Sequence, residues 1–219
     1  MIIKEIKDYN SFEFKQSINI YENSFPFNET RPFEDIVNML RNDKNYHLIV
    51  SLNNNSVIGI SLMYIFRSLN IGLLDYMAIS PSYRGQGLGK EIFNFTFEKL
   101  CSIITNGIGL LIEIQKENNL LDHQEMTIRK NRIGFYNKLG VKLLDKVNYL
   151  LPPIYSSIKE EEMYLLIKPI KKIYYLSKEQ VIRYINIIYS TIYKYYDNGL
   201  LDKISSNIPE KIILRSLVL

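Results

Sequence analysis

The segment YMAISPSYRGQGLGKEIF, residues 76–93, constrains the fold of this chain more than any other. It passes from an apolar stretch through Pro81 into a loop with glycine at positions 85, 87 and 89. Because proline interrupts the hydrogen bonds of a strand, we expect a strand to end near Ser80. Apolar residues at helical spacing from Leu88 to Cys101 predict a helix after the loop. A strand, a glycine loop and a helix in this order indicate a protein that mixes α and β structure.

The loop is suited to bind an anion. The first turn of a helix leaves N–H groups without partners and carries partial positive charge, which together favour a phosphate group. Glycine lacks the Cβ atom that would hold a phosphate away from these N–H groups, and it also permits positive φ. Arg84 adds a permanent positive charge next to them. The sequence therefore predicts a phosphate-binding loop.

The spacing of the glycines excludes two common phosphate motifs. A P-loop that ends at Lys90 would lack both its first glycine and its Ser or Thr. A dinucleotide fingerprint would lack its last Gly or Ala, whether it starts at residue 85 or at residue 87. The pattern that fits is Arg-x-x-Gly-x-Gly, formed by Arg84, Gly87 and Gly89.

The rest of the first 170 residues carries further strand and helix signals. The clearest is a hairpin, in which YHLIVSL and VIGISLMYIF flank NNNS, whose asparagines tolerate left-handed backbone geometry. Ser11 and Pro32 are typical of helix starts and Gly140 of a helix end. VKLLDKVNYL and MYLLIKPI predict two closing strands. We therefore predict a mixed α/β domain of the α+β type over residues 1–170, with a central sheet flanked by helices.

The composition changes beyond Pro169 to Ile and Tyr with few acids. Ser177 and Gly199 predict the start and the end of one long helix, which is apolar on more than one face. The last residues, NIPEKIILRSLVL, fit either a helix or a strand. We predict a mostly helical C-terminal extension over residues 171–219, packed on the domain or at an interface with a second copy.

Composition and charge exclude several classes of protein. No apolar stretch approaches 18 residues, so we expect no membrane-spanning segment and no membrane partner. The charges in MIIKEIKDYN do not fit a signal peptide, and we expect a cytoplasmic protein. One cysteine and two histidines allow no internal disulfide and do not favour a metal site. The net charge of +4 is scattered among many acids, which does not indicate a nucleic-acid partner.

The Arg-x-x-Gly-x-Gly pattern follows an apolar strand that ends in Ala78 and Ile79, with Pro81 just after it. This arrangement resembles the acyl-CoA pyrophosphate loop of the GNAT superfamily of N-acyltransferases. The resemblance covers Met1 to about Pro169, and it implies a mixed sheet of about six to seven strands, splayed between the fourth and fifth. It also implies acetyl-CoA as co-substrate and no metal. The residues that it assigns to coenzyme A are Met77, Ala78, Ile79, Arg84, Gly85, Gln86, Gly87, Leu88, Gly89 and Lys90.

By the same resemblance, Tyr136 in GFYNKLG is where the family commonly has a tyrosine that faces the sulfur of coenzyme A. Ordinary pKa values make full proton transfer from a phenol to a thiolate uphill by about 1.5 units, or about 2 kcal/mol. We therefore expect a hydrogen bond to the leaving thiolate at least as much as protonation. Alternatively, Tyr136 is a core aromatic residue. The family pattern has asparagine where this chain has Arg129; Asn131 lies nearby, out of register, and is a candidate cofactor contact.

A base is also required, because an alkyl amine is mostly protonated at neutral pH. The candidates are Glu113, a lone acid in an apolar strand, and Asp75, in the strand that leads to the loop. Either carboxylate fits a structural ion pair equally well. Removal of the proton through water is a third route.

These observations predict an N-acyltransferase, most simply an N-acetyltransferase, that acts by direct attack of an amine on acetyl-CoA in a ternary complex. We expect the acceptor to be an amine of a small molecule, a peptide or a protein. The resemblance implies a site walled by SFPFNETRPF, residues 116–130 and YLLPPIYSSIKEEE. The alternative is a catalytically silent acyl-CoA-binding sensor or interaction module that uses the C-terminal helix. We expect a monomer or a homodimer.

Overall fold

A computed structural model describes residues 1–26, 29–117, 122–155 and 159–217 of the chain. Within these ranges the chain forms six α-helices and ten β-strands. It divides into two compact units, Met1–Leu110 and Leu111–Leu219.

The first unit contains an antiparallel sheet of four strands in the order β1-β2-β3-β4. Its elements in chain order are β1 (Ile2–Ile6), α1 (Phe12–Ser24), α2 (Phe33–Asn42), β2 (Tyr46–Asn53), β3 (Ser56–Phe66), β4 (Ile71–Ile79) and α3 (Leu88–Ile103). The predicted hairpin is confirmed as β2 and β3, and Asn54 and Asn55 have φ of 46° and 64° in its turn. The predicted cap of α1 is also confirmed, since the Ser11 side chain accepts from the N–H of Phe14.

Helices cover both faces of this sheet. Every residue of β3 from Val57 to Phe66 is buried, and successive side chains of a strand point to opposite faces. Helix α1 packs against β3 and β4, and α3 packs against β2, β3 and β4. The Thr96 hydroxyl of α3 lies 2.9 Å from the Ser61 hydroxyl of β3, so a buried polar contact fixes the position of α3 on the sheet. This position places the loop between β4 and α3 at the end of the sheet.

The second unit begins within β5 (Gly109–Gln115). It continues through α4 (His123–Lys138), β6 (Lys142–Leu144), β7 (Tyr149–Leu151), β8 (Glu161–Pro169), β9 (Tyr175–Ser177), α5 (Lys178–Ile188), α6 (Asn198–Ser205) and β10 (Lys211–Ser216). Its strands follow the order β5-β8-β6-β10-β9, and β7 also pairs with β8. The strand predicted from VKLLDKVNYL is therefore two short strands, because Lys146 adopts a left-handed φ of 60° between them.

Helix α4 begins earlier than the sequence predicts. Asp122 caps it by accepting from the N–H of Glu125, so residues 123–130 of the expected insertion are helical. Residues 118–121 lie outside the described ranges. Gly140 has a φ of 71° and its N–H donates to the carbonyl of Asn137, which confirms the predicted end of this helix.

The prediction of a single long helix after Ser177 is wrong, although the predicted start is confirmed by a capping box between Ser177 and Gln180. Helix α5 widens into a π-helical turn, Tyr189–Tyr193, and ends where Lys194 adopts a left-handed φ of 54°. The C-terminal residues form a strand, since β10 pairs with β6 and β9. The extension therefore contains strands as well as helices, and the predicted domain boundary near residue 170 stays a prediction.

None of the helices in the described part of the chain is long and apolar enough to cross a lipid bilayer.

A glycine at the start of β4, Gly72, controls how closely α3 approaches the sheet. A Cβ atom on Gly72 would lie 2.8 Å and 3.0 Å from the two terminal methyl carbons of Leu100, which is fully buried. We expect Gly72→Ala to lower the free energy of unfolding by about 1–3 kcal/mol, the usual cost of overpacking a core. Urea denaturation measures this change.

Gly134 in α4 is the matched control, because a Cβ atom there would meet nothing within 4 Å. Gly134→Ala should raise the free energy of unfolding by up to about 1 kcal/mol through helix propensity. A Gly72→Ala protein as stable as the wild type would show that α3 does not depend on this close approach.

Candidate active site

The loop between β4 and α3 turns by means of two left-handed glycines. Pro81–Tyr83 form a single 3-10 turn after the strand, and Gly85 and Gly87 then have φ of 77° and 84°. Other residues rarely adopt this geometry, whereas glycine adopts it without strain. No atom lies within 4 Å of a Cβ built on either glycine, so the loop is open on this side. Gly89 lies in the first turn of α3, where φ is negative.

The backbone of this loop offers several hydrogen-bond donors. Helix α3 has Gly87 as its N-cap residue, with no side-chain cap, and its first internal bonds run from Lys90 and Glu91 to the carbonyl of Gly87. Among the described residues, none accepts a hydrogen bond from the N–H groups of residues 85–89. Because these donors lie at the positive end of a helix, the loop is suited to an anion with several oxygens.

Arg84 links the loop to the end of β4. Its Nε donates to the carbonyl of Ile79 at 3.0 Å, and the side chain is otherwise exposed. Lys90 and Gln86 are exposed as well. Residues 77–79 are held on one side by β3, in the register Met77 with Ser61, Ala78 with Ile60 and Ile79 with Gly59. The predicted cofactor residues 77–79 and 84–90 therefore form one continuous stretch of the first unit.

Asp75 lies in the same unit, within a buried ion pair. Its carboxylate accepts from the Arg31 guanidinium and from the Tyr46 hydroxyl, and the two charged side chains are 2% and 5% exposed. Arg31 also lies over the ring of Tyr76, 5.6 Å from its centre. Burial raises the pKa of Asp75, and Arg31 and Tyr46 oppose that rise. A carboxylate that is enclosed and paired in this way fits the structural alternative, while its role as a base stays a prediction.

The carboxylate of Glu113, in β5 of the second unit, is held by two tyrosines. Tyr149 of β7 donates to Oε1, and Tyr193 of the π-helical turn donates to Oε2 at 2.7 Å. Tyr149 is fully buried, and its burial raises the pKa of its phenol well above the usual value. Both oxygens of Glu113 therefore have a phenol donor, which favours the ionised form of a carboxylate.

Tyr136 is buried on α4, with 6% of its surface exposed. Burial raises the pKa of its phenol to about 12, and the nearby Arg132 opposes this rise only in part. Arg132 itself donates to Gln115 at the end of β5, 2.8 Å away. The phenol of Tyr136 therefore keeps its proton at physiological pH.

Arg129 and Asn131 differ in their surroundings. Arg129 donates to the carbonyl of Lys116 at 2.7 Å and to Glu125 at 2.8 Å, so it connects α4 to the end of β5. Asn131 is exposed on α4. At the position of the family asparagine, this chain thus has an arginine engaged in structural contacts, and the cofactor contact of Asn131 stays a prediction.

The structure distributes the predicted site residues between its two units. Asp75 and the loop residues belong to the first, and Glu113, Asn131 and Tyr136 belong to the second. Sequence reasoning missed the partners of the acids, which are Arg31, Tyr46, Tyr149 and Tyr193. The only signal for them was the abundance of tyrosine, 17 residues in all, which does not identify pairs. The proposed acceptor walls fall partly outside the described ranges, at residues 27–28, 118–121 and 156–158.

The ion pair between Asp75 and Arg31 is expected to stabilise the fold. Asp75→Asn should lower the free energy of unfolding by about 3–5 kcal/mol, because it leaves the buried Arg31 charge without its partner. Urea denaturation measures the loss. Glu162→Gln removes an ion pair whose acid is 67% exposed and should cost less than about 1 kcal/mol. If Asp75→Asn kept the wild-type stability, the structural interpretation of Asp75 would be wrong.

Comparisons with known proteins identify a matching domain family and a shared fold. Residues 44–142 match the model of the acetyltransferase (GNAT) domain family. A Bacteroides thetaiotaomicron protein assigned to the GNAT family is 20% identical, covers 90% of this chain and 100% of its own, and superposes with a TM-score of 0.70. The ribosomal-protein-S18-alanine N-acetyltransferase of Escherichia coli is 16% identical over 78% of this chain and 95% of its own, with a TM-score of 0.55.

An aminoglycoside 6'-N-acetyltransferase, solved in complex with coenzyme A, is 16% identical over 79% of this chain and 99% of its own, with a TM-score of 0.54. The sequence has no significant match among curated proteins. The structural similarities confirm the predicted mixed α/β fold class. The family-model match spans the strand, loop and helix described above, in agreement with the predicted resemblance to the GNAT superfamily.

Proposed function

We propose that this protein is an N-acetyltransferase that transfers an acetyl group from acetyl-CoA to an amine. The observation that carries the proposal is the loop of residues 85–89, whose N–H groups donate to no acceptor among the described residues and lie beside Arg84. The loop lies inside the segment that matches the GNAT domain. The reaction is a direct attack of the acceptor amine on the thioester in a ternary complex.

The chemistry of the loop fits the pyrophosphate of coenzyme A. The two left-handed glycines leave open space where side chains would stand, and the helix end and Arg84 supply the positive field that a diphosphate requires. Residues 77–79 supply the backbone groups for the pantetheine arm. Acetyl-CoA, when bound, supplies an activated acyl group and a thiol leaving group, and no metal is needed for this transfer.

Tyr136 acts as a hydrogen-bond donor to the leaving sulfur. With a phenol pKa of about 12 and an ordinary thiol pKa of about 8.5, full proton transfer is uphill by about 3.5 units, or about 5 kcal/mol. Burial thus makes Tyr136 a poorer acid than an ordinary phenol. A donor that keeps its proton still stabilises negative charge as it develops on sulfur.

Glu113 is the carboxylate that we assign to the acceptor amine. Its two tyrosine donors bring no charge of their own, so they hold the carboxylate in place without neutralising it. Asp75 accepts instead from a charged donor, the Arg31 guanidinium. The proton of the amine leaves either to Glu113 or to water that Glu113 orients.

The acceptor is an amine of a small molecule or of a protein. Two of the structural neighbours are named for an alanine of ribosomal protein S18 and for an aminoglycoside as acceptors, so the fold serves both classes. The alternative function is a coenzyme A-binding module without chemistry, and in that case the loop would also bind coenzyme A. The two functions differ in whether free thiol is released when amines are supplied.

The binding of acetyl-CoA can be measured as a thermal shift. At a ligand concentration a hundredfold above the dissociation constant we expect a stabilisation of about 2.7 kcal/mol. Arg84→Ala should weaken binding by about tenfold or more, the usual effect of losing a charge-assisted hydrogen bond. Lys15→Ala, which removes a cation of α1 in the same unit, should leave binding unchanged. No shift with the wild type would contradict both functions.

The role of Tyr136 can be tested by Tyr136→Phe. We expect kcat to fall by about a hundredfold, because one donor to the developing charge is lost. The KM for acetyl-CoA should change by less than about threefold, because the phenol acts mainly in the transition state. Release of thiol with a panel of amines, peptides and polyamines measures both values. Full activity of Tyr136→Phe across the pH range would remove this residue from the mechanism.

A further inference from the structure

The C-terminal extension brings a tyrosine to the candidate base. Helix α5 ends in the π-helical turn Tyr189–Tyr193, which is closed by the N–H of the cap residue Lys194 donating to the carbonyl of Tyr189. Turns of this kind are rare in proteins, and many of those that occur lie at functional sites. Here the turn directs the hydroxyl of Tyr193 to Oε2 of Glu113, 80 residues earlier in the chain.

Several contacts fix the position of this turn. The Ser177 and Gln180 capping box starts α5, and the hydroxyl of Tyr189 donates to the carbonyl of Leu150 in β7. Val181, Ile185 and Ile188 are fully buried along the inner face of α5. The hydroxyl of Tyr193 is therefore held by packed secondary structure, as is required of a residue that positions another.

We propose that Tyr193 is a positioning residue of the active site, and that the C-terminal extension is thereby a working part of the enzyme. The inference rests on the proposed function, in which Glu113 receives or directs the proton of the acceptor amine. Tyr149 and Tyr193 hold one carboxylate oxygen each. Together they fix the plane of the carboxylate and favour its charged form.

The surroundings of Glu113 determine how the pH dependence should change. The π-helical turn contributes Tyr189 and Tyr193, and β7 contributes Tyr149. Charged groups near the end of β5 include Arg132 of α4, which donates to Gln115, and the pair of Lys116 with Glu162 of β8. Removing the Tyr193 hydroxyl leaves all of these in place. Loss of one donor to the ionised carboxylate then moves its titration to higher pH.

The experiment is the pH profile of kcat/KM for Tyr193→Phe. Activity of a base is lost as the pH falls through its pKa, so we expect the acidic limb of the profile to move up by about one pH unit. The KM for acetyl-CoA should stay within about twofold of the wild type, since Tyr193 contacts Glu113, the residue that we assign to the acceptor amine. The profile is measured with two acceptor amines of different pKa. A limb that moves with the amine reports ionisation of the substrate, and a limb that stays in place reports ionisation of the enzyme.

Tyr184→Phe is the matched control, because Tyr184 is a buried tyrosine of α5 that is 3% exposed and, within the described part of the chain, forms no hydrogen bond with Glu113. Its profile should equal that of the wild type. A double-mutant cycle with Glu113→Gln adds a second measurement. If Tyr193 acts through Glu113, Tyr193→Phe should reduce kcat/KM less than twofold further in the Glu113→Gln background.

The outcomes separate the two proposals. An unmoved acidic limb in Tyr193→Phe, or an equal loss of activity in the Glu113→Gln background, would overturn the role of Tyr193 while leaving the transferase function intact. A wild-type protein that binds acetyl-CoA and releases no thiol with any amine would overturn the transferase function, and the inference with it. A shifted acidic limb in Tyr193→Phe, together with a non-additive double-mutant cycle, would support both the transferase function and the role of Tyr193.

Discussion

The change of direction between β4 and α3 is the constraint on which the candidate site depends. The chain leaves the sheet at Pro81 and enters a helix within a few residues, and it does so through the left-handed backbone of Gly85 and Gly87. The same geometry leaves the N–H groups of residues 85–89 without acceptors among the described residues. The turn thus exposes these backbone N–H donors and also sets the direction of α3. Gly72 lets that helix lie close to the sheet.

Tyrosine hydroxyls satisfy much of the buried polar chemistry of this protein. Asp75 accepts from Tyr46, and Glu113 accepts from Tyr149 and Tyr193. A phenol supplies a large apolar surface together with one donor, so it can satisfy a buried carboxylate at the edge of a core. The abundance of tyrosine in the sequence is explained in part by these contacts, which lie in both units.

Local patterns in the sequence predicted local structure well. The Asn54–Asn55 turn, the Ser11 cap and the end of α4 at Gly140 each depend on one or two residues, and all three are confirmed. Long-range contacts could not be predicted in this way. Asp75 meets Arg31 across 44 positions and Glu113 meets Tyr193 across 80, and periodicity identifies a buried face without identifying its partner. The helix predicted beyond Ile188 failed because a π-helical turn has no sequence signature that apolar spacing detects.

The two buried carboxylates show how similar sequence signals lead to different chemistry. Both acids stand in apolar strands, and the sequence alone ranked them equally. Arg31 neutralises Asp75 and encloses it, so its field is cancelled close to its source. The tyrosines around Glu113 orient the carboxylate by hydrogen bonds and bring no charge of their own. The donors in the structure, a cation at Asp75 and two phenols at Glu113, therefore distinguish two acids that the sequence ranked equally.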